Sequence, residues 1–251
     1  MSSKLLARAS VVLAAASSLV LFAWPLLISA QSVSESAFAQ AVFALLMPVI
    51  LVLVVVEYSS GQLDSRRLAV LGVLTALNAS IRVLGAGTAG IETVFFLLII
   101  AAYVFGSGFG FLLGTSSLLV SALLTGGVGP WLPFQMMAAG LIGLLAGALP
   151  KVSRPRALLI PFAVLASFIY GGLMTLWNWP YLAGTGTSIS YIPGADLVTN
   201  LGRFLQYELF TGGLLWDAGR AITSSVLIWL LAPALITTLS RARGRAGFQK
   251  L

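Results

Sequence analysis

Eight long apolar runs divide the chain, and short polar links separate them. A helix that rises about 1.5 Å per residue needs about 20 residues to cross roughly 30 Å of hydrocarbon, and most of the runs are near that length. Lipid offers no hydrogen bonds to an exposed backbone, so each run is predicted to be a helix. The pattern therefore predicts an all-α membrane protein with about eight transmembrane helices. The runs cover residues 11–30, 37–56, 68–84, 91–106, 109–126, 131–150, 157–177 and 221–239.

Most of the basic residues lie beside alternate ends of these runs. Eight passes place both termini on one side of the membrane, and 11 of the 14 Lys and Arg residues share that side. By the positive-inside rule this side is cytoplasmic, which predicts a multi-pass protein with cytoplasmic N and C termini. The shared set is Lys4, Arg8, Arg66, Arg67, Lys151, Arg154, Arg156, Arg241, Arg243, Arg245 and Lys250; Arg82, Arg203 and Arg220 lie opposite.

Composition narrows the class of protein. Charged residues make up only 8% of the chain, against about 25% in ordinary soluble domains. The net charge of +7 sits in short links and a tail beside the runs, so membrane orientation and anionic lipid explain it better than nucleic acid. The chain has no histidine and no cysteine, which removes the usual ligands of zinc, copper and haem and the commonest general base. None of the seven acids lies in the middle of a run, so we predict no catalytic centre, metal site or cofactor, and no enzyme.

A polar link after the second run marks the best domain boundary. We assign residues 1–60 to a two-helix N-terminal membrane extension, 61–240 to a six-helix core and 241–251 to a basic cytoplasmic tail. The first run, followed by Ile28-Ser29-Ala30, is also compatible with a secretory signal peptide. Its length of about 20 residues exceeds the 7–15 of a signal core, which favours an uncleaved helix.

The longest link, residues 178–219, is rich in aromatic side chains and therefore unlike a disordered segment. Leu197, Leu201, Phe204 and Leu205 have helical spacing, with polar residues on the other side of the helix. This predicts an amphipathic helix lying at the outer surface of the membrane. The functional surface is accordingly expected on the outer face.

The outer part of the first core helix carries polar side chains. Arg82 lies near its end, where an arginine can snorkel to the membrane surface or form a polar wall of a ligand chamber with Asn78, one turn inward. Glu92, at the start of the next helix, can pair with Arg82 or simply favour the helix dipole. The sequence leaves these alternatives open.

The start of the fourth core helix is the strongest candidate for ligand contact. Pro130 and Pro133 restrict the backbone, Trp131 and Phe134 offer flat apolar surface, and Gln135 adds one amide. A mostly apolar wall with few polar groups is typical of a small-molecule site. An interfacial aromatic belt would also explain Trp131, though not Gln135.

The last core helix begins near a second candidate cluster, Trp216, Asp217 and Arg220. Asp217 can cap this helix and pair with Arg220 three residues on, which is a structural role. A ligand-binding role for the three residues is the alternative.

Small residues form one stripe along the first core helix, at Ala69, Gly72, Ala76 and Ala79. Such stripes let another helix approach closely in lipid. The partner helix belongs either to another subunit or to this chain. Two further small-residue faces, within 106–114 and 140–147, are predicted to pack internally.

Three segments together resemble the substrate-binding S components of energy-coupling factor (ECF) vitamin transporters. They are Gly-Gly-Val-Gly-Pro-Trp-Leu-Pro-Phe-Gln-Met at 126–136, Tyr-Val-Phe-Gly at 103–106 with Gly-Phe-Leu-Leu-Gly at 110–114, and Trp-Asp-Ala-Gly-Arg-Ala at 216–221. The resemblance covers about 66–240 and implies a six-helix core that captures a vitamin at the outer face of a prokaryotic cell membrane. It also implies docking, through the small-residue stripe of the first core helix, onto a transmembrane coupling subunit. Two cytoplasmic ATPase subunits then supply the energy, since this chain has no ATP site of its own.

The resemblance makes a cobalamin-type corrinoid our first choice of ligand. The long aromatic link, the glycine-rich outer turns and the three outer arginines fit a large ligand with an anionic group, and flat rings such as riboflavin remain compatible. Two other classes remain as alternatives: an ion-coupled secondary transporter for a small molecule, and a non-transporting membrane assembly subunit.

Overall fold

Helices make up all the regular structure in the described part of the chain. The computed structural model describes residues 15–27, 41, 45–49, 51–52, 55–56, 65–85, 90–182, 186–211 and 213–245. Seven helices of ten or more residues lie within those ranges. They are α1 (Ser65–Gly85), α2 (Val94–Phe105), α3 (Ser107–Thr125), α4 (Leu132–Ala148), α5 (Pro155–Leu176), α6 (Leu197–Phe210) and α7 (Gly213–Arg245).

Six of these helices correspond to the six apolar runs predicted for the core. By length and composition α1, α3, α5 and α7 can cross a membrane, while α2 and α4 are apolar but shorter. The prediction of an all-α membrane protein is therefore confirmed. The element bounds differ most from the predicted runs in α2 and α7: α2 has only 12 residues, and α7 extends from Gly213 to Arg245 rather than from 221 to 239.

The short helix α2 lies at the centre of the bundle. All 12 of its residues are buried, as expected for a helix that is apolar on every side. It meets α3 at Gly106, whose φ of 102° is readily adopted only by glycine. This tight turn lets α3 run back beside α2.

Helices α3 and α4 pack backbone to backbone. A Cβ placed on Gly110 would lie 2.2 Å from the carbonyl oxygen of Gly143, and one placed on Gly114 would lie 2.4 Å from that of Ala139. Only glycine permits such an approach, which is how small residues join helices in lipid. The prediction that these two small-residue faces pack internally is confirmed.

The N-terminal extension is described only in part. Residues 15–22 and Trp24–Leu27 are helical, and so are 45–49. Phe22, Trp24 and Met47 are wholly buried and belong to the same apolar cluster as the core helices. The extension therefore packs against the core. The polar boundary at 57–64, the segment Ile28-Ser29-Ala30, Lys4, Arg8 and the end of the tail at 246–251 lie outside the described residues.

The two ends of the bundle differ in chemistry. One end, here called the basic end, carries Arg66, Arg67 and residues 151–156, together with the last turns of α7. There the ammonium of Lys151 donates to the carbonyl of Tyr103 and lies over its ring. The predicted basic tail begins as helix, because α7 continues to Arg245. The opposite end, here called the loop end, is formed by residues 90–93, 126–131, 177–182 and 186–211.

The amphipathic helix predicted at the loop end is present as α6. Asp196 caps it by accepting from the backbone N–H of Thr199 at 3.0 Å. Its leucines at 197, 201 and 205 are exposed, as a helix lying on lipid requires. Phe204, grouped with those leucines in the sequence analysis, instead points inward and is buried, because it packs edge-on against Trp179.

Candidate functional site

A buried chain of charges lies at the loop end. Arg220 on α7 donates from Nε to Oε2 of Glu92 at 2.6 Å and from Nη1 to Oδ1 of Asp217 at 2.5 Å. The same guanidinium also donates to the carbonyl of Ser167 on α5 at 3.1 Å. Asp217 and Arg220 are 3% and 5% exposed, so these bonds act where water screens little. The predicted pairing of Asp217 with Arg220 is present.

The capping role expected for Asp217 is wrong. Helix α7 begins four residues earlier, at Gly213, so Asp217 lies inside its first turns rather than at its N-cap. The prediction failed because the apolar run used to place the helix starts only after Arg220. Inside the helix the two charged residues are tolerated because each has a buried partner of opposite charge.

Arg82 on α1 extends the chain of charges. Its Nε lies 3.7 Å from Oε1 of Glu92, and its Nη1 donates to the hydroxyl of Ser121 on α3 at 2.9 Å. The side chain is 17% exposed, so it turns into the bundle rather than snorkelling to the surface. Glu92 lies two residues before α2 and pairs with both arginines, the closer contact being to Arg220. Two cations and two anions thus balance one another.

A ladder of polar side chains runs along the contact between α1 and α3. Thr75 and Ser116 share a hydrogen bond of 2.7 Å, and Arg82 bonds Ser121 two turns further on. Between them, Asn78 is 0% exposed, and neither atom of its amide has a hydrogen-bond partner among the described residues. A buried amide without a partner costs about 1–3 kcal/mol. Asn78 is therefore chemically suited to meet a bound molecule.

Aromatic side chains line the other part of the loop end. The rings of Phe134 and Trp177 stack in parallel, with centroids 4.1 Å apart. Phe134 is 0% exposed and Trp177 3% exposed. The indole N–H of Trp177 has no acceptor among the described residues. A buried stacking surface thus carries a donor that the described part of the protein does not use.

Helix α5 connects the aromatic side chains with the charges. The ring of Tyr170 packs edge-on against that of Phe95, with centroids 4.8 Å apart. The guanidinium carbon of Arg220 lies 4.9 Å from the centroid of the Tyr170 ring. Trp177 follows Tyr170 by seven residues, which is two turns on one helical face, or about 10 Å. The hydroxyl of Tyr170 is also buried and has no hydrogen-bond partner in the described ranges. One face of α5 therefore presents two unused donors.

The remaining predicted site residues lie at the edge of this region. Trp131 is 44% exposed and its ring covers Gly129, while Gln135 is half-buried on the first turn of α4. Trp216 is 42% exposed, and its backbone carbonyl closely approaches Gly90. Of the nine predicted residues, the structure gathers Asn78, Arg82, Glu92, Asp217 and Arg220 along one polar seam, places Phe134 in the aromatic part, and leaves Trp131, Gln135 and Trp216 at the rim.

Sequence reasoning missed several residues of this region. Tyr170 and Trp177 are spaced by two helical turns within an apolar run, and this spacing could have identified them. Phe22 and Trp24 gave no such signal, because their partners lie more than 100 residues away. Glu208 on α6 was not considered a site residue either.

Glu208 adds an acid to the inner side of α6. Its side chain is 4% exposed, and burial raises its pKa above the ordinary value. The hydroxyl of Thr175 and the positive charge of Arg220 oppose this rise in pKa. The positive charge of Arg220, which is paired with Glu92 and Asp217, thus also acts on an acid of α6.

The small-residue stripe of α1 is mostly uncovered. Ala69, Gly72 and Ala76 are exposed, and a Cβ placed on Gly72 would meet no atom within 4 Å. Ala79 is different, because it is 0% exposed. It lies about 80° round the helix from Ala69, toward the face that packs on the bundle. Three of the four stripe residues are therefore not covered by any described part of the chain.

Comparison with known proteins supplies the family. The family model of the ECF transporter substrate-specific component matches residues 66–242 of the 251. No curated protein and no solved structure was found to match the chain. Members of this family are transporter subunits that associate with an ECF module and take a small-molecule substrate. Since the match covers the whole six-helix core, the chain belongs to the ECF transporter substrate-specific components.

Proposed function

We propose that this chain captures a vitamin or vitamin precursor at the loop end and delivers it to an ECF-type importer. One observation carries the proposal: the hydroxyl of Tyr170 and the indole N–H of Trp177 are buried donors without partners in the described residues. Tyr170 lies on α5 beside Arg220, and Trp177, directly after the end of α5, is one of the two stacked rings. Apolar walls with a few well-placed polar groups are what a small-molecule site requires.

The loop end is proposed to face the outside of the cell. Arg66, Arg67 and residues 151–156 lie at the opposite end, together with the basic last turns of α7. Positive charge of this kind marks the cytoplasmic side. The exposed leucines of α6 would then rest in the outer leaflet, beside the site.

A cobalamin-type corrinoid remains our first choice of ligand, on the strength of the resemblance in residues 126–136. The contacts of the three arginines at the loop end change one argument for this ligand, that they could bind its anionic group. Arg82 and Arg220 are paired with acids, and Arg203 donates to the carbonyls of Thr187 and Ser190. These arginines therefore do not form a free anion site, which favours a large ligand without excess charge. Riboflavin, a flat ring, is the second choice.

Energy is proposed to come from partners. The exposed stripe Ala69, Gly72 and Ala76 would dock against the transmembrane coupling subunit, which in turn binds two cytoplasmic ATPases. Close approach of helices at small residues supports this contact. The ion-coupled alternative gains no support, because Glu92 and Asp217 lie at the loop end rather than at mid-span, where coupling ions are usually bound.

The direct test is to purify the chain in detergent and identify the co-purifying molecule by absorbance and mass spectrometry. A corrinoid should colour the protein, and Trp177→Phe or Tyr170→Phe should weaken its binding roughly tenfold, since each removes one donor and keeps a ring. Trp131→Ala should cost about 1–3 kcal/mol if the rim ring is a contact. Trp229→Phe, on an exposed part of α7, is the matched control.

The outcomes test the choice of ligand separately from the assignment of the chain as a transporter subunit. Colourless protein that instead binds riboflavin or another vitamin would remove the corrinoid and leave the transporter subunit. Protein that neither carries nor binds any vitamin, while folded, would contradict the proposed function.

A further inference from the structure

The first helical segment of the extension, residues 15–27, reaches into the loop end. Phe22 and Trp24 are each 0% exposed. Both lie near the end of the first apolar run, beside the core segments that join at the loop end. An aromatic residue on a helix that merely anchors a chain in lipid would be expected to face lipid. These two face the protein.

Phe22 contacts the stacked pair directly. Its ring meets that of Phe134 edge-on, with centroids 5.3 Å apart, and the ring of Phe134 in turn stacks on that of Trp177. Edge-to-face and stacked rings contribute about 0.5–1.5 kcal/mol each beyond the area that they bury. Phe22 is therefore the third ring of this arrangement, although it comes from outside the core.

Trp24 contacts the same region through Trp177 and two tyrosines. Its indole N–H donates to the carbonyl oxygen of Trp177 at 2.7 Å, and its ring lies 6.4 Å from that of Tyr181 and 6.5 Å from that of Tyr191. Trp177 is the residue that follows α5, so its carbonyl stands where the helix ends. The bond of Trp24 thus connects the extension to Trp177, whose own indole N–H has no acceptor among the residues that the structure describes.

We propose that Phe22 and Trp24 are specificity-determining residues of the ligand site, so that the extension forms one of its walls. This inference rests on the proposed function, because it assigns residues to that site. A ligand that stacks on Phe134 or accepts from Trp177 lies within reach of both side chains. Contacts of this kind should lower the dissociation rate of the ligand.

The test uses the full chain in detergent, with cyanocobalamin and riboflavin as probes. Trp24→Phe keeps a ring and loses the N–H, and Phe22→Ala removes a ring. Each should raise the dissociation rate of the bound probe roughly tenfold, the size of a buried aromatic contact at a binding site. Leu19→Ala, an exposed position on the same segment, should leave the rate unchanged.

A second measurement separates contact from stability. The chain has no cysteine, so Phe22→Cys and Leu19→Cys provide single reactive thiols. A thiol at the buried position 22 reacts only when the segment 15–27 opens, so a saturating probe that contacts this segment should slow maleimide labelling there severalfold and leave the exposed position 19 unaffected. A structural role alone would predict equal labelling with and without the probe.

Three results bear on the inference. Slower labelling together with faster dissociation supports it. Wild-type protein that binds a probe, with Phe22 and Trp24 variants that bind and label like their controls, overturns it and leaves the proposed function intact. Wild-type protein that binds neither these probes nor any vitamin overturns both.

Discussion

Glu92 and Arg220, 128 positions apart in the chain, are joined by a 2.6 Å bond between Oε2 and Nε. The bond links the start of α2 to α7 across the loop end. Both side chains are largely withdrawn from water, where a charge without a partner is costly. This pair connects the two helices at the site.

Glu92→Gln should destabilise the chain, because it leaves the charge of Arg220 with Asp217 alone. Breaking a buried pair typically costs about 3–5 kcal/mol, and the second acid should keep the loss toward the low end. Thermal unfolding of the purified protein measures this. Asp196→Asn also removes one negative charge, but at an exposed position where asparagine can keep the N-cap bond from the Thr199 N–H, and it should change the midpoint little. Equal shifts in both variants would show that net charge, not the bond, is responsible.

Two glycines should respond oppositely to alanine. Gly143→Ala places a Cβ 2.0 Å from the carbonyl oxygen of Gly110, so α3 and α4 must separate and stability should fall. Gly72→Ala meets open space on α1 and should be neutral, or stabilising by up to about 1 kcal/mol. Unfolding midpoints in detergent compare the two. A fully tolerated Gly143→Ala would contradict the close contact of these helices.

Bulk on the exposed stripe should uncouple binding from transport. Ala76→Leu adds a side chain where the coupling subunit is proposed to approach. Uptake by cells that express the complete importer should fall severalfold, while the isolated chain binds its ligand normally. Val73→Ala, at another exposed position on α1, is the control. Loss of binding together with uptake would instead indicate that Ala76 packs within this chain.

Stability should rise as pH falls through the raised pKa of Glu208. A carboxyl whose folded pKa lies above its unfolded value of about 4.5 destabilises the fold at higher pH. That penalty disappears as the pH drops from the folded pKa to the unfolded one. Glu208→Gln should therefore raise the unfolding midpoint at pH 8 and have less effect near pH 4.5. A midpoint difference that does not vary with pH would exclude the titration of Glu208 as its cause.

Impermeant thiol reagents can test the orientation, because the chain has no cysteine of its own. Single cysteines at Gly127 and Thr187, both at the loop end, should be labelled in intact cells. A cysteine at Val152, at the basic end, should react only after lysis. Labelling of position 152 in intact cells would reverse the orientation proposed here.

Much of the fold was predictable because hydropathy is a local property. The apolar runs located six core helices, the small residues at 106–114 and 140–147 indicated internal packing, and residues 197–205 indicated α6. Errors arose where a polar residue continues a helix. Asp217 and Arg220 ended the apolar run, yet their mutual bond allows α7 to begin at Gly213.

The candidate site was predictable in its polar part and much less in its aromatic part. Arg82 and Glu92 lie only ten positions apart, so their pairing follows from proximity along the chain. The contact of Trp24 with Trp177 spans 153 positions and follows from no local pattern. Helical spacing also grouped Phe204 with the leucines of α6, because periodicity does not show which of these residues a distant side chain, here Trp179, will cover.

The amino-acid sequence alone thus establishes a multi-pass helical protein with basic residues beside alternate ends of its apolar runs, since the length, hydropathy and charge of a segment decide whether it enters lipid. Which side chains meet depends on how each helix is rotated about its axis and on which neighbours it packs against. Those choices minimise the energy of the whole bundle rather than of any one segment. They bring Glu92 to Arg220, leave Asn78 and Trp177 with polar groups that no described residue bonds, and place Phe22 and Trp24 of the extension against the core.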